Sequence, residues 1–142
     1  GTRVFFEGPY GTFVANTSTR GHVVLIGGGV GITPLRALME ELDPTKVVDV
    51  IFRASREEDL VLRKELDALA DARGARVHYL VGSRKEHPMT AKYIAKFVPA
   101  FSESDVYVCG PTPLVDAVHA AAVSAGIPKD RIHDEAFEFH NV

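Results

Sequence analysis

The sequence predicts a doubly wound α/β domain with a five-stranded parallel sheet of the Rossmann-like kind. Three observations predict this fold: β-branched runs alternate with helical stretches, the first run is wholly apolar, and glycines stop it directly. A strand without polar residues is typical of a sheet that helices cover on both faces. Right-handed crossovers then favour the strand order 3-2-1-4-5, with a ligand cleft between strands one and four.

Five strands and four helices are expected in alternation along the chain. The predicted strands cover residues 23–26, 47–52, 76–81, 105–109 and 132–139, and the predicted helices cover 34–42, 57–73, 90–98 and 112–125. Local signals set several of these ends. Gly74 and Gly126 stand where the second and fourth helices stop. Thr90 and Thr112 are expected N-caps, Thr112 with Pro113 at the first helical position.

Composition excludes several function classes. The chain has 142 residues, enough for one domain with a buried core, and a net charge of -3 with 16 scattered Lys and Arg residues, so no nucleic acid partner is expected. One cysteine, Cys109, excludes an internal disulfide, and the six histidines contain no H-x-x-x-H pair, which argues against a metal site. No apolar stretch is long enough to span a bilayer. The chain begins without a methionine, and we interpret it as part of a longer protein.

A glycine-rich segment at residues 27–34 links the first strand to the first helix. Glycines let the backbone approach a pyrophosphate, and the helix start offers free N–H groups and positive dipole to phosphate oxygens. The segment is neither a G-x-G-x-x-G fingerprint, because proline stands in place of the third glycine, nor a P-loop, because the lysine is missing. Thr33 is expected to cap the helix or to donate to a phosphate. The candidate phosphate-binding residues are Gly28, Gly29, Val30, Gly31, Ile32, Thr33 and Pro34.

Together with a second motif, Cys-Gly-Pro at residues 109–111, this segment resembles the NAD(P)-binding domain of the ferredoxin-NADP⁺ reductase superfamily. The pattern is most similar to the ferric-reductase and NADPH-oxidase-like branch. Glu-Gly-Pro-Tyr-Gly-Thr-Phe at 7–13 resembles the end of that family's flavin-binding β-barrel, and Glu-Ala-Phe-Glu-Phe at 135–139 resembles its C-terminal strand. The resemblance implies that residues 1–20 are a barrel remnant and linker, and that residues 21–142 are the NAD(P)-binding domain.

The same resemblance implies roles at the nicotinamide end of the site. Hydride passes directly between nicotinamide and flavin, so the protein's main task is to bring the two rings together. Cys109 is expected beside the nicotinamide as a catalytic residue, with Gly110 and Pro111 shaping the pocket floor. Glu135 is a second catalytic candidate, near the flavin. Either Phe137 or Phe139 is expected to shield the flavin, and core packing of both stays an alternative.

At the other end of the site, basic residues favour NADPH over NADH. Ser83 and Arg84 resemble the 2′-phosphate site of NADP-specific members, and Lys85 adds positive charge. A guanidinium makes charge-assisted and often bidentate bonds to phosphate. Arg53 is expected to contact the phosphate or the adenine.

We therefore expect an oxidoreductase module that passes hydride from NADPH to FAD for onward electron transfer. FAD would be bound mainly by an upstream domain of the same polypeptide, so that this chain alone is inactive. If the ferric-reductase likeness holds, a haem-bearing membrane domain would precede the barrel and the present domain would face the cytoplasm. The alternative is a regulatory or sensor domain that binds NAD(P) without redox work. The terminal electron acceptor is left open.

Overall fold

A computed structural model describes residues 2–3, 21–29, 32–60 and 62–137 of the chain. Within these residues the strands are β1 (Thr2–Arg3), β2 (His22–Gly28), β3 (Val47–Ala54), β4 (Arg76–Val81), β5 (Asp105–Pro111) and β6 (Ile132–Phe137). The α-helices are α1 (Ile32–Glu41), α2 (Arg63–Arg73), α3 (Ala91–Phe97) and α4 (Thr112–Ser124). The predicted alternation of strands and helices is confirmed.

All pairings in the sheet are parallel, and the strand order is β1-β6-β5-β2-β3-β4. The predicted strands one to five are β2 to β6. Their order in the sheet, β4-β3-β2-β5-β6, is the predicted order 3-2-1-4-5. The two-residue strand β1 adds to it, pairing with β6 at the edge of the sheet. Residues 4–20, which include the segment compared above with the end of a flavin-binding barrel, lie outside the described residues.

Two hydrophobic clusters lie on the two faces of the sheet. Alternate residues of β2 belong to different clusters: Val23 and Leu25 pack with α1 and α2, whereas Val24 and Ile26 pack with α3 and α4. Because successive side chains of a strand point to opposite faces, an apolar run is what a sheet covered on both sides requires. All four of these side chains have no exposed surface.

The second predicted helix, 57–73, is wrong in its first third. Residues Glu57–Asp59 form a 3₁₀ turn, and α2 begins only at Arg63. Leu62 stands before it with a φ of 62°, in the left-handed region, and a right-handed helix cannot continue through such a residue. Leu60 meanwhile packs into the core cluster beside α1, which pulls the chain inward at this point.

The predicted helix signals are confirmed at three of four ends, those of Gly74, Thr90 and Gly126. Gly74 has a φ of 73° and donates its N–H to the last turn of α2, and the Thr90 hydroxyl accepts the N–H of Tyr93 at the start of α3. Thr112 is instead the first residue of α4, and Pro111 takes the N-cap position. Gly126 follows one residue beyond the C-cap of α4 with a φ of 86°.

Candidate functional site

A cavity of about 710 Å³ opens at the carboxyl edge of the sheet. Its walls come from the ends of β2 and β3, from the turn after β4, and from the end of β5 with the first turns of α4. The helix after β2 packs on one face of the sheet and the helix after β5 on the other. Ligands of doubly wound sheets bind where the connections that follow two neighbouring strands lead to opposite faces of the sheet. A volume of this size suits a small molecule or cofactor.

Glycines bring the ends of β2 and β5 unusually close together. A Cβ added to Gly110 would lie 3.1 Å from the carbonyl oxygen of Gly28 and 3.2 Å from its nitrogen. A Cβ added to Gly28 would come within 2.8 Å of the Leu114 side chain. Gly28 and Gly29 line the cavity, and Gly29 has a φ of 58°, a conformation that favours glycine. These two residues form the described part of the predicted phosphate loop that faces the cavity.

The other residues of that loop contribute no described surface to the cavity. Val30 and Gly31 lie outside the described residues, so their predicted role stays a prediction. Ile32 and Pro34 are buried residues of α1. Thr33 is the second residue of that helix, so its predicted role as a helix cap is wrong. Its predicted hydrogen bond to a phosphate stays a prediction.

Arg53, at the end of β3, lines the cavity, and its guanidinium also donates hydrogen bonds to backbone carbonyl oxygens. One terminal nitrogen donates to the carbonyl oxygens of Leu80 and Ala54, and the other donates to that of Gly82 at 3.2 Å. Burial lowers the pKa of Arg53, against the opposing charges of Tyr93 and Glu86. Arg53 therefore ties β3 to the turn that follows β4.

That turn carries the predicted 2′-phosphate residues. Arg84 lines the cavity, whereas Ser83 and Lys85 are exposed beside it. Ser83 donates its backbone N–H to the Glu86 carboxylate at 2.9 Å, and the Ser83 hydroxyl accepts the N–H of Glu86 at 3.2 Å. The hydrogen bond from the Ser83 backbone lowers the pKa of Glu86. The reciprocal pair fixes the turn and, with Arg53, sets the position of Arg84.

His87 closes the same wall of the cavity, and its tautomer follows from its partners. Its Nε2 lies 2.9 Å from the carbonyl oxygen of Val81, and its Nδ1 lies 2.6 Å from the hydroxyl of Tyr93. A carbonyl only accepts, so Nε2 carries the proton, and in the neutral ring Nδ1 accepts from Tyr93. Met89 follows in the chain, 7% exposed and also lining the cavity.

The residues predicted at the nicotinamide end lie on neighbouring strands. Cys109 pairs with Glu135 across β5 and β6, and both side chains are buried, Cys109 completely. Burial raises the pKa of the Cys109 thiol, and the charge of Glu135 raises it further. The thiol belongs to the hydrophobic cluster beneath α1, while Pro111, two residues on, lines the cavity. The catalytic roles of Cys109 and Glu135 stay predictions.

The two C-terminal aromatic candidates are only partly within the described residues. Phe137 is the last residue of β6 and pairs with Pro111, which places its backbone at the same edge of the sheet as the cavity. Phe139 lies outside the described residues. The predicted shielding of a flavin by either residue is therefore left as a prediction.

Several cavity residues were not among the sequence candidates. They include Glu58 and Asp59 from the 3₁₀ turn after β3, His87 and Met89 after β4, and Leu114 on α4. A usable signal exists for the first four, because they follow the carboxyl ends of predicted strands, where ligands of such sheets bind. Leu114 follows a predicted helix start, and nothing in its sequence context separates it from an ordinary packing leucine.

A parallel, doubly wound sheet, a glycine turn after its first central strand and a cofactor-sized cavity above it define a dinucleotide-binding domain. Residues 25–120 match the family model described as the oxidoreductase NAD-binding domain. The chain belongs to this family, the NAD-binding domain of the ferredoxin-NADP⁺ reductase superfamily. It is thus an NAD(P)H-binding domain of the kind found in flavin-dependent oxidoreductases.

Named relatives agree with this class. The chain is 31% identical over 157 residues to NADH-cytochrome b5 reductase 1 of Pyricularia oryzae, covering 98% of this chain and 51% of that protein. It is 29% identical to flavohemoprotein B of Dictyostelium discoideum, covering 91% of this chain and 33% of that protein. The chain spans about half the length of the cytochrome b5 reductases it matches.

Solved structures show the same fold. The FAD/NAD-binding domain of a nitric oxide dioxygenase from Vibrio cholerae matches 83% of this chain and 51% of that chain with a TM-score of 0.69 and 25% identity. A ferredoxin reductase of carbazole 1,9a-dioxygenase matches 94% of this chain and 38% of that chain with a TM-score of 0.62 and 27% identity. In the part of the chain that the structure describes, no helix is long and apolar enough to cross a membrane.

Proposed function

We propose that this domain binds NADPH in the cavity at the carboxyl edge of the sheet and presents its nicotinamide to an FAD for hydride transfer. The observation that carries the proposal is the pairing of a side-chain-free wall, Gly28 and Gly29, with the guanidinium of Arg84 in one cavity of about 710 Å³. The first feature suits a pyrophosphate and the second suits a 2′-phosphate.

The residues divide the work of binding along the cavity. Gly28 and Gly29 let the backbone approach the pyrophosphate, because neither carries a side chain. A Cβ at Gly28 would lie 2.8 Å from the Leu114 side chain. Arg84 would hold the 2′-phosphate on a turn fixed by Ser83, Glu86 and Arg53. FAD, when bound, accepts the hydride, and Pro111 at the end of β5 would shape the nicotinamide end of the cavity.

The preference for NADPH over NADH is the finer part of the proposal. Arg84 favours the 2′-phosphate, whereas Glu58 and Asp59, which also line the cavity, carry negative charge and suit ribose hydroxyls. Arg56 lies 3.6 Å from Asp59 and 3.9 Å from Glu58, so it offsets part of that charge. The Glu58 carboxylate is largely exposed and that of Asp59 partly so, and water and salt screen their repulsion of a phosphate. The charge of Arg84 therefore decides the preference in favour of the 2′-phosphate.

Calorimetry on this chain tests the specificity. We expect tighter binding of NADP⁺ and 2′-phospho-AMP than of NAD⁺ and AMP. Arg84→Ala should remove on the order of 1.5–3 kcal/mol of that difference, the value of a charged hydrogen bond. Lys64→Ala is the control, because Lys64 is an exposed cation on α2 that does not line the cavity. Equal affinities of the unmutated chain for the phosphorylated and unphosphorylated ligands would overturn the preference for NADPH.

The acceptor beyond the flavin is a further proposal. The relatives named cytochrome b5 reductase favour a haem protein as the acceptor, and the ferric-reductase pattern of the sequence favours ferric iron. In the second case the whole protein would include a haem-bearing membrane domain, with this domain on the cytoplasmic side. The alternative of a non-redox sensor predicts nucleotide binding without any effect on a flavin partner.

A further inference from the structure

The wall of the cavity formed by residues 84–89 contains His87, whose imidazole is hydrogen-bonded to protein groups outside the cavity lining. We propose that His87 is the surface on which the nucleobase of the bound nucleotide stacks, and that Tyr93, which does not line the cavity, is a positioning residue for it. The inference rests on the proposed function, because it concerns the same nucleotide, and it adds two residues to the site.

The hydrogen bonds of His87 determine what it can offer to a ligand. Both ring nitrogens are occupied by protein groups, Nε2 by the carbonyl oxygen of Val81 and Nδ1 by the hydroxyl of Tyr93. Neither Val81 nor Tyr93 lines the cavity, although His87 does. The polar atoms of the ring thus point away from the cavity, which leaves ring carbons for contact with a ligand. A flat π-surface of this kind suits a purine.

The surroundings of His87 favour an apolar, planar guest. Pro88 and Met89 continue the wall, and Pro113 and Leu114 contribute from α4. Arg84 stands three residues before His87 on the same turn. A purine on His87 would thus lie close to the guanidinium that is proposed to bind its 2′-phosphate. An adenosine 2′-phosphate carries its base and its phosphate on the same ribose, so the groups that bind the two must lie close together.

Tyr93 acts through His87 and is itself held by packing. Its ring lies 6.0 Å from that of His87 and 5.4 Å from that of Phe97, one turn further along α3. The hydroxyl contact of 2.6 Å ties this helix to the imidazole, and it selects the orientation in which Nε2 faces Val81. Without the hydroxyl the imidazole can rotate about its side-chain bonds and turn a polar nitrogen toward the cavity.

Nucleotide titrations of the full chain test the inference, with AMP and 2′-phospho-AMP as probes. His87→Ala should weaken both by roughly tenfold, the range for loss of one base stack, and leave the ratio of the two affinities unchanged. Tyr93→Phe should weaken both by about threefold, less than the loss of the ring itself. Tyr79→Phe is the matched control, because its hydroxyl bonds Asp67 instead, away from the cavity.

A double-mutant cycle separates positioning from a general loss of stability. A phenyl ring in the place of the imidazole would need no hydroxyl partner, so Tyr93→Phe should cost affinity in the native chain and nothing in the His87→Phe background. Unchanged affinity in Tyr93→Phe, an equal loss in Tyr79→Phe, or a loss that persists beside His87→Phe would overturn the inference alone. An unmutated chain that binds neither probe would overturn the proposed function as well.

Discussion

Asp49 is a fully buried carboxylate that several basic side chains surround. It lies on β3 with no exposed surface and accepts hydrogen bonds from His22 at 2.7 Å, from Arg76 at 2.8 and 2.9 Å, and from His78 at 3.1 Å. Both histidines use Nε2, which must carry the proton because a carboxylate only accepts. Burial alone would raise the pKa of Asp49, but the hydrogen bonds from His78, Arg76 and His22 outweigh it and lower the pKa to about 2.

This carboxylate should make stability depend on acid pH. The folded pKa of about 2 lies below the ordinary value of 3.8, so the stabilisation is present above about pH 4 and is lost as the pH falls toward 2. The difference corresponds to about 2 kcal/mol. Asp49→Asn should lower the free energy of unfolding at pH 7 by about 3 kcal/mol, because His22, Arg76 and His78 would then donate to a neutral amide instead of a buried carboxylate.

Urea denaturation at a series of pH values measures both effects. The Asp49→Asn chain should also lose the part of the pH dependence that the native chain shows between about pH 4 and 2. Asp71→Asn, an exposed residue of α2, serves as the control and should behave like the native chain. An Asp49→Asn chain that matches the native chain at pH 7 would show that the cluster contributes nothing net.

Side-chain roles are harder to predict from the sequence than positions. The sequence predicts Arg84 at the ligand, and Arg84 lines the cavity, because the end of a strand fixes where the next residues lie. The predicted contact of Arg53 with the phosphate or the adenine stays a prediction, since Arg53 also lines the cavity. What the sequence does not predict is that carbonyl oxygens of β3 and of the residues around the end of β4 accept hydrogen bonds from its guanidinium. Most of those acceptors are 27 or more positions away in the chain, and no local pattern reveals such partners.

At the scale of elements, Arg73 links α2 to the end of α1 and to the residues that follow it. Arg73, in the last turn of α2, donates to the carbonyl oxygens of Met39 at 2.7 Å and Leu42 at 3.1 Å. It also donates to those of Asp43 at 2.8 Å and Lys46 at 3.4 Å. The last carbonyls of a helix have no partners within it, so Arg73 satisfies groups that α1 leaves open.

Removal of this arginine should loosen both helices together. Arg73→Ala should lower the free energy of unfolding by about 2–3 kcal/mol, since several charge-assisted hydrogen bonds are replaced by contacts with water. Arg73→Lys should recover only part of the loss, because an ammonium lacks the fork that reaches four carbonyls. Chemical denaturation gives the values, with the exposed Lys64→Ala on the same helix as the control. A loss in Arg73→Ala no larger than in Lys64→Ala would contradict the expected cap.

Helix ends can be predicted from the sequence where they depend only on residues adjacent in the chain. Gly74 and Thr90 act at α2 and α3 as their residue types predict, because a positive φ and a hydroxyl cap depend only on adjacent backbone. The start of α2 depends on the core instead. Leu60 is drawn into the cluster under α1, and the helical pattern of 57–73 could not show that.

At the scale of the whole molecule, periodicity and connection rules suffice for the sheet order. The central strands are largely apolar on both faces, and right-handed crossovers then leave few arrangements. The partner of the domain is a different matter. A flavin is inferred from resemblance to the family, because neither periodicity nor a connection rule predicts it.

The electron-transfer proposal can be tested with a larger polypeptide. We expect this chain alone to be colourless and to show no NADPH-dependent reductase activity. A polypeptide that joins a flavin-binding domain of this superfamily to the chain should be yellow, and NADPH should bleach it. In that polypeptide Cys109→Ala should slow flavin reduction more than it weakens NADPH binding, if the thiol contacts the nicotinamide.

Stopped-flow absorbance of the flavin decides between contact and packing. A Cys109→Ala polypeptide that reduces its flavin at the native rate would identify the thiol as core packing, in keeping with its complete burial. A yellow polypeptide that NADPH and NADH both fail to bleach would instead support the sensor alternative. Loss of colour in the Cys109→Ala form would point to a damaged fold and calls for Cys109→Ser in its place.

The close approach of Gly28 and Gly110 has a consequence for the entropy of binding. Where these two backbones meet there is no side chain, and therefore no rotamer, between them. Ordering flexible side chains costs about 0.5–1.5 kcal/mol for each one that a ligand immobilises. A pyrophosphate that rests on this part of the wall has none to immobilise. This part of the surface is already in its bound shape before the ligand arrives, so the side chains that binding must order are those elsewhere in the cavity lining, Arg84 among them.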